Sequence, residues 1–144
     1  MELDFAVLAD SVMTRPDGKL DLYGAGFDTI FARAVPAVHP RLVVVARILI
    51  SAREASESHR LNVLVRGPDG QQVANAHGEL AALGEEQRSQ IPAERPAGVG
   101  LILPFENVVF ETYGNYEVVI SLDDDPVRTL PIYVQELAVS TEGR

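Results

Sequence analysis

The chain has 144 residues, 47% of them apolar, a size at which one domain buries well over half of the surface its unfolded form exposes. Its 21 Asp and Glu against 12 Lys and Arg give a formal charge of -9, which repels phosphate backbones and excludes nucleic acid as the expected partner. The absence of cysteine excludes disulfides, thiolate zinc sites and thiol nucleophiles and favours a cytoplasmic setting, and no apolar run approaches the ~18 residues of a membrane span.

Met1-Glu2-Leu3-Asp4-Phe5 has no basic region ahead of an apolar core, so no secretory signal is expected. From there the apolar residues recur mostly at every second position, in runs of about eight to twelve between turn signals, which is the pattern of antiparallel strands. Strands over 3–14 and 20–31 are predicted to pair through Arg15-Pro16-Asp17-Gly18-Lys19, with Asp17-Gly18 supplying the positive φ angles of a two-residue loop. Gly24-Ala25-Gly26 reads as a bulge within the second of these. Residues 41–50 form a central strand, with Leu42, Val44, Ala46, Ile48 and Ile50 on the core face and Arg41 and Arg47 on the other.

Gly67-Pro68-Asp69-Gly70 joins strands at 58–66 and 71–82, so that Leu61, Val63 and Val65 face Ala74 and Ala76. Residues 83–98, rich in Gly, Pro and charge, are predicted to be a long loop carrying one helical turn at Glu85–Ser89. The next hairpin pairs 115–122 with 127–136 around Asp123-Asp124-Asp125-Pro126, and Pro131 points to an edge position for its second strand. Residues 138–144 are expected to be a short flexible tail. With no helix long enough to cover an apolar sheet face, the expected fold is all-β: a single-domain, two-sheet antiparallel sandwich of about eight strands, immunoglobulin-like or C2-like.

Gly114-Asn115-Tyr116 resembles the corner of immunoglobulin-like domains, in which the tyrosine enters a strand and its phenol bonds to nearby backbone. Val118 stands where antibody domains place cysteine, so the likeness is to the general sandwich. Gly18, Gly24, Gly26, Gly70, Gly114 and Tyr116 are accordingly read as structural. The opening Leu3-Asp4-Phe5-Ala6-Val7-Leu8-Ala9-Asp10, with Asp17-Gly18-Lys19-Leu20, Tyr23-Gly24-Ala25-Gly26-Phe27-Asp28-Thr29-Ile30, Pro36 and His39-Pro40, resembles a family of uncharacterised bacterial proteins of similar length. The likeness spans nearly the whole chain and implies a bacterial one-domain protein, with no activity attached.

Within the first hairpin, register places Asp28 on an apolar face with Leu3, Phe5, Val7, Ala9, Leu20, Leu22 and Ile30. There it must be turned outward by a bulge at Gly24–Gly26 or be hydrogen-bonded, since a buried unpaired charge is costly. Asp10 faces the other way, and a one-residue bulge brings the two aspartates together. As chemistry they would form a carboxylate pair for acid–base work or a cation; as structure they would cap turns or accept backbone N–H groups. His39, His59 and His77 lack the spacing by which one element holds a metal. No Gly-x-Ser-x-Gly elbow or phosphate loop is present. Asp123–Asp125 at a loop tip lacks the second ligand loop of calcium-binding sandwiches.

Three function classes follow. The first is a non-enzymatic protein-binding or self-assembly module acting through an edge strand, without cofactor, metal, membrane or nucleic acid. The second is a small-ligand or carbohydrate binder using Tyr113, Tyr133 and Phe31, with Asp10, Asp28 and His39 as candidate ligand-binding residues. The third is a hydrolase, for which Asp10, Asp28 and His39 are the available groups.

Overall fold

The computed structural model describes residues 1–138. Ten strands account for most of them: β1 Glu2–Ala9, β2 Ser11–Thr14, β3 Leu20–Tyr23, β4 Thr29–Ala32, β5 Ala37–Ile50, β6 His59–Arg66, β7 Gln72–Leu80, β8 Ala97–Phe110, β9 Gly114–Leu122 and β10 Asp125–Glu136. A 3-10 turn at Glu54–Ser56 and a one-turn helix, α1 (Glu85–Arg88), are the helical elements. The molecule is therefore nearly all-β, and α1 falls within the connection where one helical turn is expected. No helix among the described residues is long and apolar enough to cross a membrane. The tail beyond Ala138 lies outside the described residues.

The strands form three sheets: a three-stranded sheet β1-β5-β8, a five-stranded sheet β4-β10-β9-β6-β7, and the β2-β3 hairpin. The five-stranded sheet curls as half a barrel. The two larger sheets share one core. The first contributes Ala6, Leu8, Leu42, Val44, Ala46, Ile48, Leu103, Phe105, Val108 and Phe110, and the second Leu61, Val63, Val65, Tyr116, Val118, Ile120, Leu122, Ile132 and Val134. β7 approaches β8 and β1 approaches β10, so the seams between the sheets are narrow on both sides.

Two hairpins share a turn chemistry. In Arg15–Lys19 the Gly18 amide donates to the Arg15 carbonyl (2.9 Å) and the Arg15 amide to the Lys19 carbonyl (2.8 Å); Gly67–Gln71 repeats both bonds at 2.9 and 2.8 Å. Each is a Pro-Asp type I turn closed by one left-handed glycine, Gly18 (φ 85°) or Gly70 (φ 81°). The loop is thus of three residues where two were expected, because Pro at the first turn position holds φ negative and leaves only the glycine to cross over. The third hairpin is the two-residue kind: Asp123 and Asp124 both have positive φ (48° and 67°), and Asp125-Pro126 already belongs to β10.

The first hairpin departs most from expectation. Only β2 and β3 pair with each other; β1 pairs antiparallel with β5, and β4 pairs parallel with β10. The chain breaks at Asp10, and Gly24–Asp28 is a connection between sheets, not a bulge inside a strand. The reason is burial on both faces of β1. Ala6 and Leu8 enter the main core, while Ala9 joins Val43 and Val45 of β5 in a second cluster covered by Val7, Val12, Leu20 and Leu22. The face of β5 expected to be solvated is thus half covered by the β2-β3 hairpin, while Arg41 and Arg47 are exposed and paired with Glu106 and Asp4.

A further correction concerns an edge. β10 lies between β4 and β9, so it is internal over Tyr133–Glu136. Its Tyr133 and Leu137 amides donate to the Asp28 and Ala32 carbonyls, and Pro131, of the same parity, meets the stretch β4 does not reach, where a missing N–H costs nothing. His39 lies in β5 opposite Val108, and His77 is exposed opposite Asn62.

Candidate functional site

The Asp10 amide donates to the Tyr23 carbonyl (2.9 Å), which fixes the end of β1 against β3. Gly24 then turns through φ 62° and packs on the Asp10 carboxyl so closely that a Cβ there would come 2.2 Å from Oδ2. Two residues later the Gly26 amide donates to the Leu8 carbonyl (3.0 Å), carrying the chain past the end of β1 towards β4. Asp10, Gly24 and Ala25 thereby form one wall of a groove of about 520 Å³ whose other wall is Thr29, Ile30 and Phe31. His39 and Phe27 line it as well, their rings 6.2 Å apart and tilted by 44°.

The structure brings Asp10 and His39 together and leaves Asp28 out. His39 Nε2 lies 3.8 Å from Asp10 Oδ1, too far for a hydrogen bond, and is a buried nitrogen without a partner among the described residues. Asp28 lines a separate cleft of about 150 Å³ between β1 and β10, with Ala6, Leu8, Leu130 and Pro131. Its exposed carboxylate accepts from the Thr29 hydroxyl (2.8 Å). The connection through Gly24 and Gly26 turns it outward, so it is not a charge on an apolar face. Thr29, which also lines the groove, donates its hydroxyl to Asp28. Among the described residues no three His, Asp or Glu side chains converge on a metal position.

β4 itself supplies the other notable surface. Asp28 and Ala32 turn their carbonyls to β10, so by alternation the main-chain groups of Thr29 and Phe31 point away from it, along the unpaired edge of the sheet. Phe31 is 60% exposed. The Tyr113 hydroxyl donates to the Ala32 carbonyl (3.1 Å) and its ring packs on the core. Partial burial, with the charge of Glu136, raises the Tyr113 pKa. Tyr133 pairs with Thr29 on β10.

One arrangement carries no mark in the sequence, whereas the Tyr116 corner is the one expected from Gly114-Asn115-Tyr116. His59 Nδ1 lies 2.6 Å from Asp123 Oδ2 and its Nε2 2.6 Å from the Glu54 carbonyl. Both partners are acceptors, and each faces one ring nitrogen. The His59 bond, followed by the Arg60 amide that donates to Oδ1 (2.9 Å), holds the Asp123 carboxyl below its usual range. Glu54 in turn takes the amino terminus and the Ser51 amide (3.0 Å). This ties the 3-10 turn, the start of β6 and the tip of the β9-β10 hairpin together. Tyr116, 1% exposed, packs edge-on against Phe110 and donates its phenol to the Thr112 carbonyl (2.8 Å), closing the β8-β9 loop.

No curated protein matches the sequence. A family model covers residues 4–135, which takes in all the strands but the first residues of β1 and the last of β10: the chain belongs to DUF6941, a family of unknown function.

Proposed function

We propose that this protein is a non-enzymatic binding module of the bacterial cytoplasm, built as an immunoglobulin-like or C2-like sandwich, which takes an extended protein segment along the free edge of β4. The observation that carries the reading is the unpaired main chain of Thr29 and Phe31 facing an open groove, with Phe31 60% exposed beside it. Strand addition uses such an edge for affinity and neighbouring side chains for specificity. Of the other edges of the two larger sheets, β7 and β8 lie against each other and β1 approaches β10. The sandwich reading is supported by the single core shared between two sheets, and the corner by the Tyr116 phenol on Thr112. The simplest partner is a second copy of the chain. Asp10 at the groove wall suits a cationic residue of the incoming segment.

The test is Phe31→Pro, which blocks the edge while removing no bond to β10, because the Phe31 amide points outward. Affinity capture from the host lysate, read by mass spectrometry, is run beside light scattering of the pure protein. A partner or second copy held by the unmodified protein and released by Phe31→Pro, at little change in melting temperature, supports the reading. A strict monomer that captures nothing, or a capture indifferent to Phe31→Pro, refutes it.

A further inference from the structure

The β2-β3 hairpin covers the outer face of β1-β5-β8 unevenly. At its base Val12, Leu20 and Leu22 seal Ala9, Val43 and Val45, each 0% exposed. One row further on, where Phe5, Arg47 and Gly100 align across the three strands, the seal opens into a crevice of about 470 Å³, within the usual range of ligand pockets. Phe5 and Ile102, each 37% exposed, form its apolar floor, and Leu20 and Leu22 its wall. Gly100 contributes no side chain; a Cβ there would find its nearest neighbour, Leu20 Cδ1, at 3.9 Å. The space is therefore left open by an absent side chain.

The charges at its mouth are cationic on a protein of formal charge -9. Arg47 is paired with Asp4 through Nη1, while the rest of its guanidinium lies over Gly98. Lys19 has no ion pair among the described residues. Its acidic neighbours are engaged or absent from the lining: Asp17 accepts the Lys19 amide (3.0 Å) and lies 3.9 Å from Arg15, and Asp21 does not line the crevice. An apolar slot with Lys19 and the open side of the Asp4-bound Arg47 guanidinium at its mouth fits a molecule with an apolar body and an anionic end.

We propose that this crevice binds a small amphiphilic carboxylate, its apolar part against Phe5, Ile102 and Leu20 and its carboxylate at Lys19 and Arg47. It shares no lining residue with the β4 groove and stands independently of the function proposed there.

The probe is dodecanoate below its micellar concentration, titrated calorimetrically into the full chain, with dodecanol as the uncharged control. One-to-one binding is expected, weaker by about tenfold for dodecanol and for Lys19→Glu, the effect of losing one charge-assisted contact. Gly100→Leu fills the slot from strand backbone with room for it and should abolish binding, with melting temperature and circular dichroism reporting that the fold is kept. Phe31→Pro should bind as the unmodified protein does. Absence of binding, equal binding of dodecanol, or binding unchanged by both Gly100→Leu and Lys19→Glu overturns the proposal.

Discussion

Replacing Tyr116 by Phe isolates one hydroxyl at the β8-β9 corner. The ring keeps its edge-on contact with Phe110 at 4.9 Å between centroids, while the Thr112 carbonyl loses a donor at 2.8 Å and the Thr112 amide an acceptor at 3.3 Å. Thr112 is exposed, so water can replace part of both bonds. The expected cost is therefore near the net worth of one hydrogen bond, about 1 kcal/mol. For a chain of this size that lowers the melting temperature by about 3 °C. Tyr116→Ala also removes a side chain that is 1% exposed, and should cost about 3–5 kcal/mol, like other large aromatic truncations. Urea unfolding of the three proteins measures both steps, and hydrogen exchange at Thr112 reports the corner directly. A Phe variant as stable as the parent to within about 0.3 kcal/mol, with unchanged Thr112 exchange, would refute a role for the phenol in closing the corner.

At Asp123 the folded pKa lies below the unfolded one, through the His59 bond first and the Arg60 amide second, so its contribution is complete above about pH 4 and disappears as pH falls through the folded value. Asp123→Asn, which tolerates the φ of 48°, should be less stable than the parent at neutral pH by a margin that closes below pH 4; urea midpoints between pH 7 and 2.5 measure it, and a margin constant with pH would contradict the assignment. Gly24→Ala should destabilise by more than the ~1 kcal/mol of a positive-φ alanine alone, because its Cβ meets Asp10 Oδ2 at 2.2 Å. Adding Asp10→Ala should restore the excess, and additive losses in thermal melts would show that the contact does not matter.

Where turn chemistry and a single solvated face coincide, the sequence is easy to read. Gly67-Pro68-Asp69-Gly70 places Val63 opposite Ala76 and Val65 opposite Ala74, and the β9-β10 hairpin follows the same logic. Reading fails where both faces are buried, because alternation then carries no phase: Ala6, Leu8 and Ala9 are all buried, and nothing local says that β1 pairs with β5 and not with β3. β8 is hidden for another reason. Pro104, Gly98 and Gly100 interrupt its apolar run, and the left-handed Asn107 (φ 52°) shifts its inward positions from Leu103 and Phe105 to Val108 and Phe110. The meeting of Asp10 with His39 depends on β1 and β5 lying in one sheet, and the outward turn of Asp28 on a connection read as a bulge. His59 and Asp123 are 64 residues apart and joined only by tertiary packing.

Both candidate sites arise where short strands meet long ones. β2, β3 and β4 have four residues each, whereas β5 and β8 have 14. A four-residue strand cannot cover a neighbour of 12 or 14 residues, so apolar residues and main-chain groups remain open beyond its ends. Phe5 and Ile102 lie past the reach of the hairpin seal, and Thr29 and Phe31 along the uncovered side of β4. Such segments are held by few bonds and bury little, so they open at lower free energy than the β5-β8 and β6-β9 ladders behind them. A rigid core carrying short, incompletely covered strands can change its surface contacts without disturbing Val43, Val63 or Ile120, each 0% exposed. On the proposed reading, recognition falls to the short strands and stability to the long ones.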